Sequence, residues 1–491
     1  MNTPLRRVGL AMLAMIALLI ANTTYLQVVE ADGYRADPRN QRVLLDEYSR
    51  ERGKLISQFN GEVLAGVKAT NSRLRFQRTY TNGPVYAPVT GYYSIRYGAG
   101  GLERSEDEVL NGSDPRLLVR RMSDVITGRD PRGGNVQLTV DPKVQREAYQ
   151  QMTSKGYSGS VVALRPQTGE ILGMVSTPSY DPNKLSTHDS NQQQEAWTNY
   201  NNDPNRPMVN RAIQDTYPPG STFKLVTAAA ALENGKGDAS LPADSQIALP
   251  SGGGTTLENY EGSHCGSGGN TVDLETALAL SCNTAFAKLA GDVGREPLLD
   301  QAAKFGIGGE DLQIPMRVAQ SSLGEIADEA SLYQTGIGQR DVRLTPLQDA
   351  MVAASIANGG TTMQPQLVKE VLAPDLTTIQ EFTPETLDTA MSGANAETLK
   401  QMMIKSEENT SGEGKSDLTI ASKTGTAEHG SDPKSTPPHA WYVAFAPAEN
   451  PQVAICVMVE SGGDFGLVAT GGKVAASIGR ATIDAALRGG G

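Results

Sequence analysis

Ser221-Thr222-Phe223-Lys224 sets a hydroxyl and an amine three residues apart, on one face wherever the segment is helical. A serine attacks a carbonyl only when a base takes its proton. A lysine serves as that base if burial or a neighbouring cation lowers its pKa. Tyr217-Pro218-Pro219-Gly220 forces a turn just ahead, so Ser221 is expected at a helix N-terminus, among free N–H groups. The spacing alone carries little weight. Ser431-Asp432-Pro433-Lys434 repeats it, but lies among prolines and starts no helix.

Two further groups add weight. Ser281-Cys282-Asn283 falls at a break between the apolar helical stretches Leu274 to Leu280 and Thr284 to Leu289. A hydroxyl and an amide two residues apart can there face one pocket. Lys423-Thr424-Gly425-Thr426 follows a short apolar strand, Ile420 to Ser422. Strand alternation puts Lys423 and Gly425 on one face, Thr424 and Thr426 on the other. The missing side chain at Gly425 is expected to let a substrate approach the backbone.

The elements that must position these groups are readable from pattern. Ser221 to Glu233 is expected as a helix stopped by Asn234-Gly235. Ser160 to Leu164 and Ile171 to Val175 are expected as strands joined across Pro166-Gln167-Thr168-Gly169. Trp441 to Ala446 and Val453 to Val459 form a second antiparallel pair around Pro447 to Pro451. Leu347 to Ile356, Ala396 to Glu407 and Ala475 to Leu487 read as helices. Strands at both ends with helices between imply a sheet flanked by helices, its edges supplied by distant segments. Upstream, Leu55-Ile56, Val63-Leu64 and Val136 to Val140 read as strands and Pro142 to Ser154 as a helix. A hairpin is expected around Gly91 within Tyr86 to Tyr97, helix near Asp114 to Thr127, and loop or exposed helix over Asn191 to Val209. This upstream region carries no constellation that suggests chemistry.

Composition narrows the classes. The 491 residues allow two or three domains. At 38% apolar and 20% charged, the chain is neither a polytopic membrane protein nor a disordered one. Its 43 basic and 55 acidic residues give a net charge of -12, which repels phosphate backbones, so no nucleic acid partner is expected. Four His and three Cys argue against a large zinc or haem apparatus. His429 and His439, with Glu428 and Asp432 near, lack the tight spacing of a ligand set, so neither metal nor cofactor is expected.

Arg6 and Arg7 precede a run from Val8 to Val29 that, as one helix, is long enough to cross a bilayer. Basic residues before it and Glu30 and Asp32 after it put the N-terminus in the cytoplasm and the rest outside. The alternative is a cleaved signal peptide built on Val8 to Ala21, though no small-x-small site follows it. Outside the cytoplasm Cys265 and Cys282, 17 apart, could pair; the alternative leaves them and Cys456 as free or buried thiols.

In this order the three groups form the set described for penicillin-binding proteins and class A β-lactamases. Longer stretches agree: DPRNQRVLLDEYSRERG at 37–53, YAPVTGYYSIRYGAGGLERSEDEVLNG at 86–112, NRAIQDTYPPGSTFK at 210–224, SKTGTAEH at 422–429 and PHAWYVAFAP at 438–447. TGIGQ, TPLQDA and ASIANGG occur within 335–360. The chain resembles the penicillin-interacting serine transpeptidases, and within them the class B penicillin-binding proteins of the actinobacterial PbpA type. Arg340 departs from the pattern, since many relatives carry Gly there; a loop, rather than the chemistry, is expected to feel it.

The resemblance implies an α+β fold, an α/β/α sandwich of the serine β-lactamase-like kind with a central antiparallel sheet. A smaller, mostly β N-terminal domain would accompany it. It implies a cytoplasmic tip and anchor over 1–29, a linker and non-catalytic dimerisation or pedestal-like domain over 30–155, and a transpeptidase domain over 156–491. It makes Ser221 the nucleophile and Lys224 its base, with Ser281 and Asn283 relaying a proton and meeting the substrate amide. Lys423, Thr424, Gly425 and Thr426 would meet the substrate and its carboxylate, and the N–H groups of Ser221 and Thr426 would form the oxyanion hole. The implied activity is D,D-transpeptidation of peptidoglycan stem peptides ending in D-Ala–D-Ala, blocked when β-lactams acylate the same serine. A D,D-carboxypeptidase using water and a non-enzymatic β-lactam sensor or scaffold are the alternatives. A polytopic glycan polymerase of the elongation or division machinery (divisome) is the implied protein partner.

Overall fold

A sheet covered on both faces must present apolar side chains in both directions along every strand. Five segments of the chain do so. In spatial order they are Ala421–Ala427, His439–Ala446, Val453–Val459, Gly159–Leu164 and Ile171–Thr177, each antiparallel to its neighbour. The computed structural model describes residues 2–30, 48–117, 132–250, 254–309, 312, 314–414, 417–432 and 434–488.

Alternate residues of these strands join two different cores. Val161, Ala163, Tyr442, Ala444, Ile455 and Val457 pack with Val144, Ala148 and Met152 of helix Pro142–Ser154 and with Ile478 and Ile483 of helix Ala476–Leu487. Val162, Leu164, Trp441, Val443, Cys456 and Met458 face the other way, onto helices Lys224–Glu233 and Pro346–Ala357. The product is the helix–sheet–helix sandwich that the resemblance implied. Helix Pro346–Ala357 is buried almost throughout. Its start is fixed by Thr345, whose side chain accepts from Gln348 N, and by Pro346 in the first turn.

A second, six-stranded sheet runs Thr378–Glu381, Val368–Leu372, Asn135–Leu138, Leu55–Ser57, Val63–Ala69, Phe76–Tyr80. Its Leu55–Ser57 and Asn135–Leu138 pair is parallel. Two of its strands come from the later part of the chain, while helix Pro142–Ser154 covers the five-stranded sheet. Segments are thus exchanged in both directions across the boundary expected near residue 155. Buried Glu103, on helix Leu102–Ser105, accepts from Arg52 Nε at 2.7 Å and from Arg78 Nε, on strand Phe76–Tyr80, at 2.5 Å, and Arg78 Nη1 donates to Gly53 O.

One local expectation changes, one is met by its helical alternative, and one lies mostly outside the described residues. Around Gly91 the chain first forms a helix, Gly83–Thr90, with Pro84 in its first turn and Tyr86 and Val89 buried. The hairpin follows it, pairing Tyr92–Ser94 with Gly98–Gly100. The polar stretch after Asn191 is largely helix, Ser190–Asn202, capped by Asp189. The helix expected over 114–127 lies mostly outside the described residues; Pro115–Leu117 is a single 3-10 turn. At the N-terminus, helix Asn2–Thr24 continues into Tyr25–Val29, and Thr3–Val29 is long and apolar enough to cross a membrane.

Candidate active site

The first group sits on a tighter turn than expected. Gly220–Phe223 is 3-10, and the α-helix begins at Lys224. Gly220 has a φ of 57°, and its N–H donates to Gly338 O at 2.9 Å. Gly338 must itself be small, since a Cβ there would lie 2.1 Å from Gly220 O. Two residues on, Arg340 has a φ of 62°, the left-handed region that favours glycine.

The third group closes on this turn. A Cβ at Gly425 would fall 2.6 Å from Pro219 O and 3.0 Å from Thr222 Cγ2. What approaches the bare Cα is therefore the protein's own turn at Pro219–Thr222, rather than the substrate expected there. Lys423 and Gly425 are buried, while Thr424 and Thr426 are partly exposed, so the strand alternates as expected.

The second group lies between helices Leu274–Ala279 and Asn283–Val293, with Ser281 at a φ of 59°. Cys282 stands at the N-cap and offers no side-chain cap. It is disulfide-bonded to Cys265, with Cα atoms 5.8 Å apart, and Cys456 is a buried free thiol.

The three groups meet at two buried lysines. Lys224 Nζ donates to Ser281 O and Asn283 Oδ1, each at 2.7 Å, and lies 3.4 Å from Ser281 Oγ. Lys423 Nζ donates to Ser281 Oγ and Thr424 O, each at 2.9 Å. Asn283 Nδ2 donates to Glu258 O at 2.9 Å, which turns Oδ1 toward the lysine. The Phe286 ring centroid lies 5.6 Å from Lys224 Nζ. Ser221 is partly exposed, three residues before Lys224.

Burial drives Lys224 well below the ordinary lysine range, and the neighbouring Lys423 adds to the effect. Burial alone pushes Lys423 down to about 7. A neutral Lys224 has two N–H donors and one lone pair. Ser281 O and Asn283 Oδ1 take the donors, so the lone pair is left for a proton. A lysine amine held neutral in this way has the chemistry of a general base.

Other sequence candidates lie apart. Ser431 and Lys434 fall in the loop between Ala421–Ala427 and His439–Ala446. His429 and His439 stack with ring centroids 3.8 Å apart. Among the described residues, no group of three or more His, Cys, Asp or Glu side chains could hold a metal. Glu258, Asn259 and Phe286 were not anticipated, because no spacing rule links them to the motifs. Nor was Asp349, on helix Pro346–Ala357. Its carboxyl is buried without a hydrogen bond of full geometry, and the Thr222 side chain is the polar group that reaches it.

Residues 159–484 match the model of the penicillin binding protein transpeptidase domain, and residues 52–136 that of the penicillin binding protein A dimerisation domain. With that sandwich and those three converging groups, the chain belongs to the penicillin-binding protein transpeptidase family. Along its length it is similar to the peptidoglycan D,D-transpeptidase PbpA of Mycolicibacterium smegmatis, 54% identical over 493 residues and 99% of both chains. It is 51% identical over 494 residues, all of both chains, to the PbpA of Mycobacterium tuberculosis. Among solved structures it matches penicillin-binding protein A from M. tuberculosis in a ceftriaxone acyl-enzyme complex. There the TM-score is 0.87 at 50% identity, covering 90% of this chain and all of that one. The D,D-transpeptidase domain from Eggerthella lenta matches with a TM-score of 0.75 at 27% identity, over 89% and 98% of the two chains.

Proposed function

We propose that this chain cross-links peptidoglycan as a serine D,D-transpeptidase, with Ser221 as nucleophile and Lys224 as its base. The observation that carries the reading is the convergence of Ser281, Asn283 and Lys423 on Lys224, three residues after Ser221. Ser221 Oγ attacks the D-Ala–D-Ala carbonyl carbon while its proton passes to Lys224 Nζ. The N–H groups of Ser221 and Thr426 receive the oxyanion. The C–N bond then breaks, and the departing D-Ala amine takes a proton through the Ser281 hydroxyl. An amine of a neighbouring stem attacks the ester, forms the new amide and returns the proton to Ser221. A β-lactam follows the first half, its ring nitrogen leaving but remaining tethered. Lys423, with Thr424 and Thr426, meets the carboxylate of either ligand.

The N-terminal helix anchors this chemistry with Arg6 and Arg7 on the cytoplasmic side. A polytopic glycan polymerase of the elongation or division machinery is the partner this reading requires, because cross-linking acts on polymerised strands. Mass spectrometry of products from a stem-peptide donor, with and without an amine acceptor, tests it. Aminolysed dimer is expected to rise with acceptor and to vanish in Ser221→Ala. Hydrolysed product alone, at every acceptor level, would indicate a carboxypeptidase. Dimer from Ser221→Ala at the parent rate would overturn the nucleophile.

A further inference from the structure

We infer that Asn259 is a positioning residue, capping from a distance the helix that carries Asn283 and thereby aiming the Lys224 base at Ser221. The inference rests on the roles proposed above for Lys224 and Asn283.

The first N–H groups of an α-helix have no partner within it, and a side-chain acceptor at the N-cap normally meets one of them. Helix Asn283–Val293 has Cys282 at that position, engaged in a disulfide and capping nothing. The missing acceptor comes from elsewhere. Asn259 Oδ1 accepts from Thr284 N at 3.0 Å and from Thr284 Oγ1 at 3.2 Å. Its other side-chain atom, Nδ2, donates to Asp244 O at 3.1 Å and Ser263 O at 3.0 Å. Asn259 is buried. One amide thus joins the helix start to both ends of the 244–263 excursion.

The preceding residue completes the arrangement. Glu258 O accepts from Asn283 Nδ2, and this sets which end of the Asn283 amide faces Lys224. Thr284 Oγ1 also donates to Asp244 O at 2.9 Å. Residues 258 and 259 therefore fix both the backbone and the amide of the second motif. Without the cap, helix start and amide are free to rotate, and Lys224 loses an acceptor. An acceptor favours the protonated amine. Its loss therefore lowers the Lys224 pKa further, and the acid limb of the reaction moves to lower pH.

Asn259→Ala, Asn259→Asp and the parent are compared in the full chain, using a fluorescent penicillin. The acylation rate is normalised to folded protein by thermal melting and measured across pH. Asn259→Ala is expected to acylate about tenfold more slowly, with its acid limb at lower pH, while Asn259→Asp, which keeps the acceptor but turns a second oxygen toward Asp244 O and Ser263 O, recovers part of the rate at the acid end of the range, where its carboxyl is protonated and can donate. A purely structural role lowers the melting temperature but leaves the normalised rate and the limb in place; that result overturns the inference. Equal loss in Asn259→Asp and Asn259→Ala at the acid end of the range overturns it too. Ser221→Ala, measured beside them, separates the two levels. If it labels fully, the nucleophile reading fails, whatever Asn259 does.

Discussion

At the scale of residues, the site places two buried amines around one serine hydroxyl, Ser281 Oγ. Burial is the first cause of the depressed pKa at Lys224 and the charge of Lys423 the second, so removing Lys423 reverses only part of it. Lys423→Met is expected to raise the Lys224 pKa and move the acid limb of β-lactam acylation to higher pH. The rate itself should fall by at least about tenfold, since a carboxylate partner is lost. Stopped-flow acylation across pH checks both, and a limb that stays put would show that Lys423 is uncharged where the base titrates. The residues that converge at the site, Lys224, Ser281, Asn283 and Lys423, were legible in the sequence because each belongs to a short motif. Asn259 was not, because its partner Thr284 lies 25 positions away and only folding brings them together. Gly425 was legible as a close approach, but not what approaches, because Pro219 O lies on another element.

At the scale of elements, helix Pro346–Ala357 couples core to chemistry. Asp349 lies on it, between the nucleophile turn, which presents Thr222, and the central strand, which presents the Cys456 thiol. Burial pushes the Asp349 carboxyl up to about 7, and no charged side chain contributes to that shift. The sign follows. The folded state holds this proton at pH values where the unfolded chain has released it, so stability falls as pH rises from the unfolded carboxyl range to about 7. Above that, both states are ionised and the penalty is constant. Asn cannot ionise, so the melting temperature of Asp349→Asn relative to the parent should climb between about pH 4 and 7 and then level off. Calorimetry at matched ionic strength checks it, and a flat difference would sink the assignment. Strong periodic elements such as Pro142–Ser154 and Val453–Val459 were legible from pattern. Gly83–Thr90 was not, because its aromatic and proline residues fit a hairpin equally well and burial of Tyr86 and Val89 decided the matter.

At the scale of the molecule, the two sheets are not separable by one cut. Val368–Leu372 pairs with Asn135–Leu138, and helix Pro142–Ser154 covers the five-stranded sheet. A fragment of residues 156–491 would leave the first edge unpaired and uncover Val161, Ala163 and Val175, at about 1.5–3 kcal/mol for each large side chain. It is expected to aggregate and label poorly with fluorescent penicillin, whereas residues 30–491 remain soluble and label fully. Size-exclusion chromatography with labelling decides, and a monomeric, fully labelled fragment would count against the exchange. This exchange was not legible in the sequence, since pairing between distant strands leaves no local pattern.

The order of the five-stranded sheet also has a meaning in time. Val453–Val459 lies at its centre, pairing with His439–Ala446 on one side and Gly159–Leu164 on the other. The strands made first are thus joined to Ala421–Ala427, which carries Lys423, only through strands made near the end of synthesis. Long closures of this kind are slow, and unpaired edges invite wrong partners while they wait. A chain still being made therefore has Ser221, Lys224 and Ser281 long before Lys423 and Thr426 can close on them. On the proposed mechanism the carboxylate and oxyanion contacts come only with the C-terminal strands, so a nascent or interrupted chain is expected to be inert toward stem peptides and β-lactams alike.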